Sequence, residues 1–396
     1  MVTPIGSSIN MLKGILNKIG AAACVLFFCS ACGGAAVEVA TNSDTFIYPD
    51  YAGVTVPINI APLNFHYTAV GIKKAATTVT FNDSVVEFSG KDVVWDMQQW
   101  KSLLTAAVSD TIRFSSELTL KGGVKQTFEW DIYVSPDKID PYISYRLIEP
   151  AYEVWHEIEI RERCIENFDE RALSNWQNTN NSCMNCHIHS QARSDLSMFY
   201  VRGKDGGAFL NRNGKVRKLT LNDPSMVSGT VYGEIHPSGR YGVFSSNVVL
   251  PGLHALGSQR LEVYDSASDL VITDFDKNEL ILPSVLTRKD VFETFPVFSA
   301  DGNTIYYCAA DTLPVPKEVN KLRYSLMKIS FDSNTGCVGK KPEVVWDAEE
   351  HKASVCHPKC SPDGKWLMYT VADYGTFPIW HTECELEMMN LCTGEI

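Results

Sequence analysis

The stretch CSPDGKWLMYTV, residues 360–371, has two counterparts in the same chain: FSADGNTIYYCA at residues 298–309 and IHPSGRYGVFSS at residues 235–246. In each copy, a turn that contains glycine precedes a strand of apolar and aromatic residues, and glycine accepts the positive φ that such turns require. A second strand pattern follows each copy: RLEVYDSAS, SLMKISFDSNTG and ELEMMNLCTGE. The copies recur after 63 and then 62 residues. An all-β repeat of this length predicts the blades of a β-propeller rather than a helical solenoid.

The turns SPDGK and SADGN, each followed by an aliphatic-aromatic strand, resemble the TolB-like, WD40-like β-propeller repeat over about residues 199–396. The segments PYISYRLIEPAYEVW, ENFDE, SCMNCH and HPSGRY, in this order, also resemble a group of exported bacterial propeller proteins, many of them lipoproteins. This resemblance implies an architecture more than an activity. A closed propeller needs roughly four to eight blades, and the segment has room for about three periods. We therefore expect an incomplete propeller at residues 198–396, with an open last blade.

The part of the chain before the repeats predicts a second β domain. Residues 50–148 alternate apolar and polar side chains, as half-buried strands do. MQQWKSLLTAAV at residues 97–108 has the apolar spacing of a short helix, and Gly122-Gly123 is a hairpin signal. We expect a β-sandwich with one helix, so the fold class is all-β.

A connector, residues 149–197, joins the two predicted domains. Its first part, AYEVWHEIEIRERCIENFDERALSNW, is charged and lacks glycine and proline, which predicts a partly helical segment. Its second part, QNTNNSCMNCHIHSQARSD, is polar, which predicts a loop. The cysteine motif is therefore expected outside any domain core.

Residues 1–31 predict a signal peptide. Lys13 and Lys18 form a sparse basic region, and the apolar run IGAAACVLFFCSA is too short to span a bilayer as a mature helix. CSACGG supplies small residues before Cys32 and resembles the lipobox of bacterial lipoproteins, which implies that Cys32 is acylated. A plain secretory signal is the alternative. With residues 32–49 as a tether, we expect an exported chain held at the cell envelope by lipid, facing the periplasm or the cell surface.

The composition excludes one class of partner. The chain of 396 residues carries 47 acidic and 35 basic residues, a formal charge of −12. Binding of nucleic-acid phosphates needs clustered lysine and arginine, and no such run occurs outside the N-terminus. We expect no nucleic-acid partner, and the sequence does not identify the envelope or electron-transfer partner.

The stretch SCMNCHIH, residues 182–189, carries the chemistry-bearing motif. In Cys-x-x-Cys-His, two thiols can form thioethers with one haem while the histidine binds the iron. Cys183 and Cys186 are the expected anchors of a c-type haem, and His187 is the expected proximal ligand. The sequence gives no diagnostic distal ligand, so Met198 or His156 is the expectation.

Two alternatives remain for this motif. Zinc could use both cysteines with His187 or His189, and Cys164 or His156 would complete four ligands. The other alternative is a Cys183–Cys186 disulfide or a thiol pair without a cofactor. A further set, Cys356, His357 and Cys360 in CHPKC, has ligand spacing, but there a thiol is more often a small buried apolar residue.

The sequence predicts a non-enzyme. It contains no nucleophile elbow, P-loop, dinucleotide fingerprint or HExxH motif. The leading functional expectation is a mono-haem electron-transfer or redox-sensing lipoprotein with a propeller interaction domain. The alternative is a non-catalytic propeller scaffold that binds a protein or glycan and whose cysteine motif is structural.

Overall fold

The computed structural model describes residues 38–39, 46–147, 158–203, 206–252, 262–375, 377–378, 381 and 383–396. The chain divides into two compact units, Met1–Ile139 and Asp140–Ile396. The signal peptide and Cys32 lie outside the described residues, as does His156. Within the described residues, no helix is both long and apolar enough to cross a membrane.

The first unit consists of two sheets and one helix. The larger sheet has six strands: β1 (Glu38–Val39), β3 (Thr55–Pro57), β5 (Ile72–Phe81), β6 (Ser84–Ser89), β8 (Thr111–Leu120) and β9 (Lys125–Ser135). The smaller sheet has three: β2 (Ile47–Tyr48), β4 (Phe65–Tyr67) and β7 (Asp92–Val93). Strand order in the larger sheet is β1-β9-β8-β5-β6, with β3 also paired to β9. Strands β1 and β3 run parallel to β9, and the other pairs are antiparallel.

One core joins both sheets and the helix α1 (Met97–Ala106). The side chain of Asp96 caps this helix by accepting a hydrogen bond from the Gln99 N–H at 2.9 Å, which satisfies a donor that the first helical turn leaves free. Trp100 on α1 is fully buried, and Phe114 of β8 stacks on Trp130 of β9 with ring centroids 3.9 Å apart. Alternating side chains of the strands meet in this core, so the predicted sandwich is confirmed.

The described residues of the second unit form five successive antiparallel sheets, called blades one to five. Blade one contains β10 (Tyr142–Leu147), β11 (Glu159–Cys164) and β12 (Glu170–Ser174), and blade two contains β13 (Met184–His189), β14 (Leu196–Val201), β15 (Gly207–Arg212) and β16 (Lys215–Leu219). Blade three contains β17 (Thr230–Ile235), β18 (Tyr241–Gly252), β19 (Glu262–Asp274) and β20 (Glu279–Ile281).

Blade four contains β21 (Val291–Phe298), β22 (Thr304–Asp311), β23 (Ser325–Asp332), β24 (Cys337–Val338) and β25 (Glu343–Trp346). Blade five follows the short helix α2 (Ala348–His351) and contains β26 (Ser354–Cys360), β27 (Trp366–Ala372) and β28 (Glu385–Asn390). Among the described residues, short 3₁₀ turns occupy Trp176–Thr179, Ser190–Ala192 and Val319–Lys321.

The first strand of each blade packs beside the first strand of the next, in the order β10, β13, β17, β21 and β26. These five are called the inner strands. The remaining strands of each blade follow as an antiparallel meander. Such a series of side-by-side meanders is the architecture of propeller blades, and the all-β prediction is confirmed.

Side-chain and backbone groups tie adjacent blades together. His236, only 4% exposed and directly after β17 of blade three, donates from Nε2 to the Gly302 carbonyl in the turn of blade four, at 3.1 Å. Ser190 of blade two donates to the Ile235 carbonyl of blade three at 2.8 Å. Both bonds satisfy buried polar groups where two sheets meet.

Two local predictions about the connector were wrong. The cysteine stretch forms the inner strand β13 rather than a loop. The described part of the segment expected to be helical forms β11 and β12. Its charged residues pair across these strands, as Arg161 does with Glu170 at 2.9 Å and Arg171 with Glu162 at 2.7 Å. The charge pattern that suggested the exposed face of a helix is therefore explained by ion pairs between neighbouring strands.

Candidate functional site

A β-bulge recurs at the same place in four of the inner strands. The strand register shifts in β13, β17, β21 and β26. The bulge residues have positive φ: Cys186 (51°), Tyr232 (35°), Phe295 (50°) and His357 (50°). A bulge re-aims the side chains around it. Here it directs four chemically different side chains toward one cavity.

This central cavity has a volume of about 700 Å³ and is lined by residues from all five inner strands. Its polar and charged lining residues include Arg146, Asn185, His187, Arg202 and Lys359. Its other lining side chains include the four bulge residues and Phe377. A concave site of this size, mostly apolar with a few convergent polar groups, is typical of small-molecule binding.

The structure separates the members of the CxxCH motif. Cys186 and His187 line the central cavity. Cys183 is only 5% exposed and packs in an apolar cluster with Ile160 and Val201. All nine cysteines of the described residues are free thiols. The two thiols of the motif therefore lie in different surroundings, one in a core and one at a cavity wall.

Both histidines of the motif are hydrogen-bonded to blade one. His187 donates from Nε2 to the Ser144 carbonyl at 3.3 Å. His189 donates from Nδ1 to the Arg193 carbonyl at 3.2 Å, and its Nε2 accepts from the Ser144 hydroxyl at 2.9 Å. Burial lowers the pKa of His187, so the ring stays neutral. These bonds hold blade two against blade one.

In this arrangement the motif does not fit a haem. Double thioether attachment needs both thiols at one porphyrin edge, but Cys183 lies in the core. Iron would need the lone pair of the His187 ring nitrogen Nε2, which instead carries a proton donated to Ser144. Met198, expected as a distal ligand, is 5% exposed within another apolar cluster. No group of three or more histidine, cysteine, aspartate or glutamate side chains in the described residues is placed to hold a metal ion.

The central cavity is positively charged. Arg146, Arg202 and Lys359 line it, and no aspartate or glutamate is among its described lining residues. Burial raises the pKa of the Cys186 thiol, while the Tyr232 backbone N–H and the two guanidinium groups oppose this shift. Cys186 is therefore an uncharged thiol in a cationic site.

Part of the cavity wall is aromatic. The ring of Phe295 lies 4.7 Å from that of Tyr232 and 4.1 Å from that of His357, measured between centroids. Phe377 lies 4.9 Å from His357. Burial lowers the pKa of His357 to about 4, so the ring adds no charge near neutral pH. The cavity thus combines cations with neutral flat rings.

Sequence reasoning missed the cavity because it treated the cysteine motif as separate from the repeat. CHIHS, YGEIH, FPVFS and HPKCS occupy equivalent positions and begin at Cys186, Tyr232, Phe295 and His357. The spacing from Phe295 to His357 equals that between the glycine turns of the same blades. This equal spacing, together with the prolines Pro296 and Pro358 after the bulge residues, could have shown from the sequence that these positions are equivalent.

No protein-family profile matches this chain, and no curated protein matches it. Solved structures do show similarity. An oligogalacturonate lyase solved in complex with manganese has 12% identity and a TM-score of 0.32, over 71% of this chain and 86% of that one. A second oligogalacturonate lyase, from Vibrio parahaemolyticus, has 10% identity and a TM-score of 0.31, over 72% and 76%.

A puromycin-hydrolysing peptidase from Mycobacterium tuberculosis has 9% identity and a TM-score of 0.35, over 72% of this chain and 44% of that one. All three similar structures are of enzymes. Identities and TM-scores this low carry neither activity nor substrate to this chain. The expectation that the chain is not an enzyme therefore stays a prediction.

Proposed function

We propose that this chain is a propeller-type binding protein whose central cavity holds a small anionic molecule with a flat or apolar part. The observation that carries the proposal is the composition of the cavity wall. Arg146, Arg202 and Lys359 line one cavity together, and no carboxylate is among its described lining residues. In a partly buried site such cations favour an anion more strongly than they do in bulk water.

The arginines are available to a ligand. Among the described residues, neither Arg146 nor Arg202 forms an ion pair, and Arg146 donates to the side-chain carbonyl of Asn185. Guanidinium groups suit carboxylate, sulfate and phosphate because their donors match the spacing of two oxygens. The rings of Tyr232, Phe295 and Phe377 would then contact the apolar part of the ligand.

The proposal predicts selective binding of 1-naphthyl phosphate over 1-naphthol. The two probes share the fluorescent ring and differ in the anionic group. Replacing Arg146 or Arg202 with methionine should weaken binding of the phosphate about tenfold each, since each removes a charge-assisted contact. Arg171→Met is the matched control, because Arg171 is exposed on β12 and pairs with Glu162 outside the cavity.

Fluorescence titration at low and high salt decides the outcome. Binding of the phosphate that falls with salt, and that Arg171→Met leaves unchanged, supports the proposal. Equal affinity for 1-naphthol, or equal affinity of the Arg146→Met and wild-type proteins, contradicts it. Export and acylation at Cys32 stay separate predictions, since the ligand proposal does not depend on them.

A further inference from the structure

A second cavity lies in blade four and shares no described lining residue with the central cavity. Its volume is about 560 Å³. Residues of β21, β22 and β23 form its walls, and Glu349 of α2 also lines it. It is called the blade-four cavity below.

Glu293 is the unusual residue of this cavity. It lies on β21, is 2% exposed and lines the cavity. The backbone N–H of Arg288 hydrogen-bonds to its carboxyl group. The other carboxyl oxygen, Oε2, is buried and has no hydrogen-bond partner among the described residues. Leaving a buried carboxyl oxygen without a donor is unfavourable, so such a group needs an explanation.

The cations around the cavity are already engaged. Arg288 pairs with Asp290 at 2.6 Å, and Lys321 pairs with Glu318 at 3.1 Å. Arg323 donates to the Asn320 carbonyl at 2.8 Å. None of the three donates to Oε2 of the buried glutamate.

The carboxyl groups that line the cavity have fewer ion-pair partners than its cations have. Asp311 and Glu349 line the same cavity as Glu293. Neither forms an ion pair with a described residue. Three carboxyl groups therefore line this cavity. Of its three cations, only Arg323 forms no ion pair with a described carboxylate.

We propose that the blade-four cavity binds the primary ammonium group of a small organic cation, with Glu293 as its counter-ion. An ammonium has three N–H donors and can satisfy the free carboxyl oxygen while contacting other acceptors. A metal ion is disfavoured because no three histidine, cysteine, aspartate or glutamate side chains of the described residues, these carboxyl groups included, are grouped so that they could hold one. The site is independent of the central cavity and takes the opposite charge.

Binding of an ammonium group displaces a proton from Glu293. Burial, with a smaller contribution from the Asp269 carboxylate, raises the pKa of Glu293 to about 8, so the free site holds a proton near neutral pH. An arriving ammonium stabilises the carboxylate, and the carboxyl proton leaves to solvent as the ion pair forms. The charged and titratable groups near Glu293 are Asp269, Arg288, Asp290, Tyr307, Asp311, Lys321, Arg323, Tyr324 and Glu349.

Calorimetric titration of the full chain with n-butylammonium at neutral pH tests the site. Two buffers of different ionisation heat give the number of protons released. Wild-type protein should bind n-butylammonium, release nearly one proton and ignore n-butanol. Glu293→Gln should weaken binding about tenfold or more and abolish the proton release. Glu343→Gln, which removes an exposed carboxylate paired with Lys328, is the matched control and should change neither.

Absence of binding to wild-type protein overturns the proposal, as does equal binding by Glu293→Gln. The proton count keeps the test decisive if that variant fails to fold, because binding to wild-type protein without proton release also overturns it. The 1-naphthyl phosphate titration reports the central cavity separately. Glu293→Gln should leave that affinity unchanged.

Discussion

The ammonium of Lys359 lies 2.6 Å from Oε2 of Glu234, and this ion pair joins blade five to blade three past the inner strand of blade four. The Glu234 side chain is 5% exposed, whereas that of Lys359 is 53% exposed. Lys359 lines the central cavity, and both residues line a neighbouring cavity of about 300 Å³. Lys359 is therefore shared between a buried carboxylate and the site proposed for an anion.

Replacing Glu234 with glutamine should tighten binding of 1-naphthyl phosphate. The substitution removes the carboxylate that competes with the ligand for Lys359, and the amide keeps nearly the same shape. Because Lys359 is half exposed, we expect a gain of about two- to fivefold. Fluorescence titration of both proteins at low salt measures it.

Lys359→Met should have the opposite effect and weaken the same titration. Glu343→Gln is the control, since it breaks an exposed Lys–Glu pair with Lys328 outside the cavity. A Glu234→Gln protein with wild-type affinity would show that Lys359 does not reach the ligand.

Gly302→Ala should destabilise the second unit. Gly302 has φ +75°, and a Cβ there would clash with the His236 ring that ties blade three to blade four. We expect a loss of about 2 kcal/mol or more in the free energy of unfolding. Gly214→Ala is the matched control, because Gly214 has φ +77° but no atom near the added Cβ. If urea titrations show equal losses of unfolding free energy in the two variants, the clash with His236 is not the cause of the destabilisation.

Asp265 should make stability fall as pH rises toward neutrality. Burial raises its pKa from 3.8 to about 7, against the hydrogen bond from Asn247. Between these values the folded chain holds a proton that the unfolded chain has lost, so the free energy of unfolding decreases with pH in this window. Asp265→Asn should make that decrease shallower, while the raised pKa of Glu293 contributes a decrease of the same sign in both proteins. Urea titrations at about pH 5 and pH 7.5 compare the proteins, and parallel pH dependences would contradict the assignment.

The folded chain should keep Cys183 and Cys186 as free thiols without haem. Cys183 is buried in an apolar cluster, and burial raises the pKa of its thiol, so it should react slowly with a thiol reagent. Burial also raises the pKa of the Cys186 thiol, but this thiol lines the cavity and should react faster because a reagent can reach it. Expression with haem c maturation machinery, followed by a reduced pyridine-haem spectrum, is the second measurement. A c-type band lost in Cys183→Ala would restore the haem interpretation.

The sequence predicted the sandwich and the blades because their signals are local. Alternation of apolar residues and glycine turns reports strands and hairpins wherever they occur. It also predicted a loop at Cys183–Cys186, because a polar run without alternation resembles one. This stretch is a strand because it pairs with β14. Pairing depends on the neighbouring strand, which the composition of the stretch itself does not report.

The sequence by itself determined an all-β chain with a repeated glycine turn, since φ preferences and residue alternation belong to short segments. The tertiary structure decided which residues share a site. Cys186, Tyr232, Phe295 and His357 are far apart in sequence and unlike in chemistry, yet a repeated bulge directs them into one cavity. The same packing buried Cys183, three positions from Cys186, in a different core. Spacing along the chain suggested one site for both thiols, but burial and strand register are set by neighbouring blades.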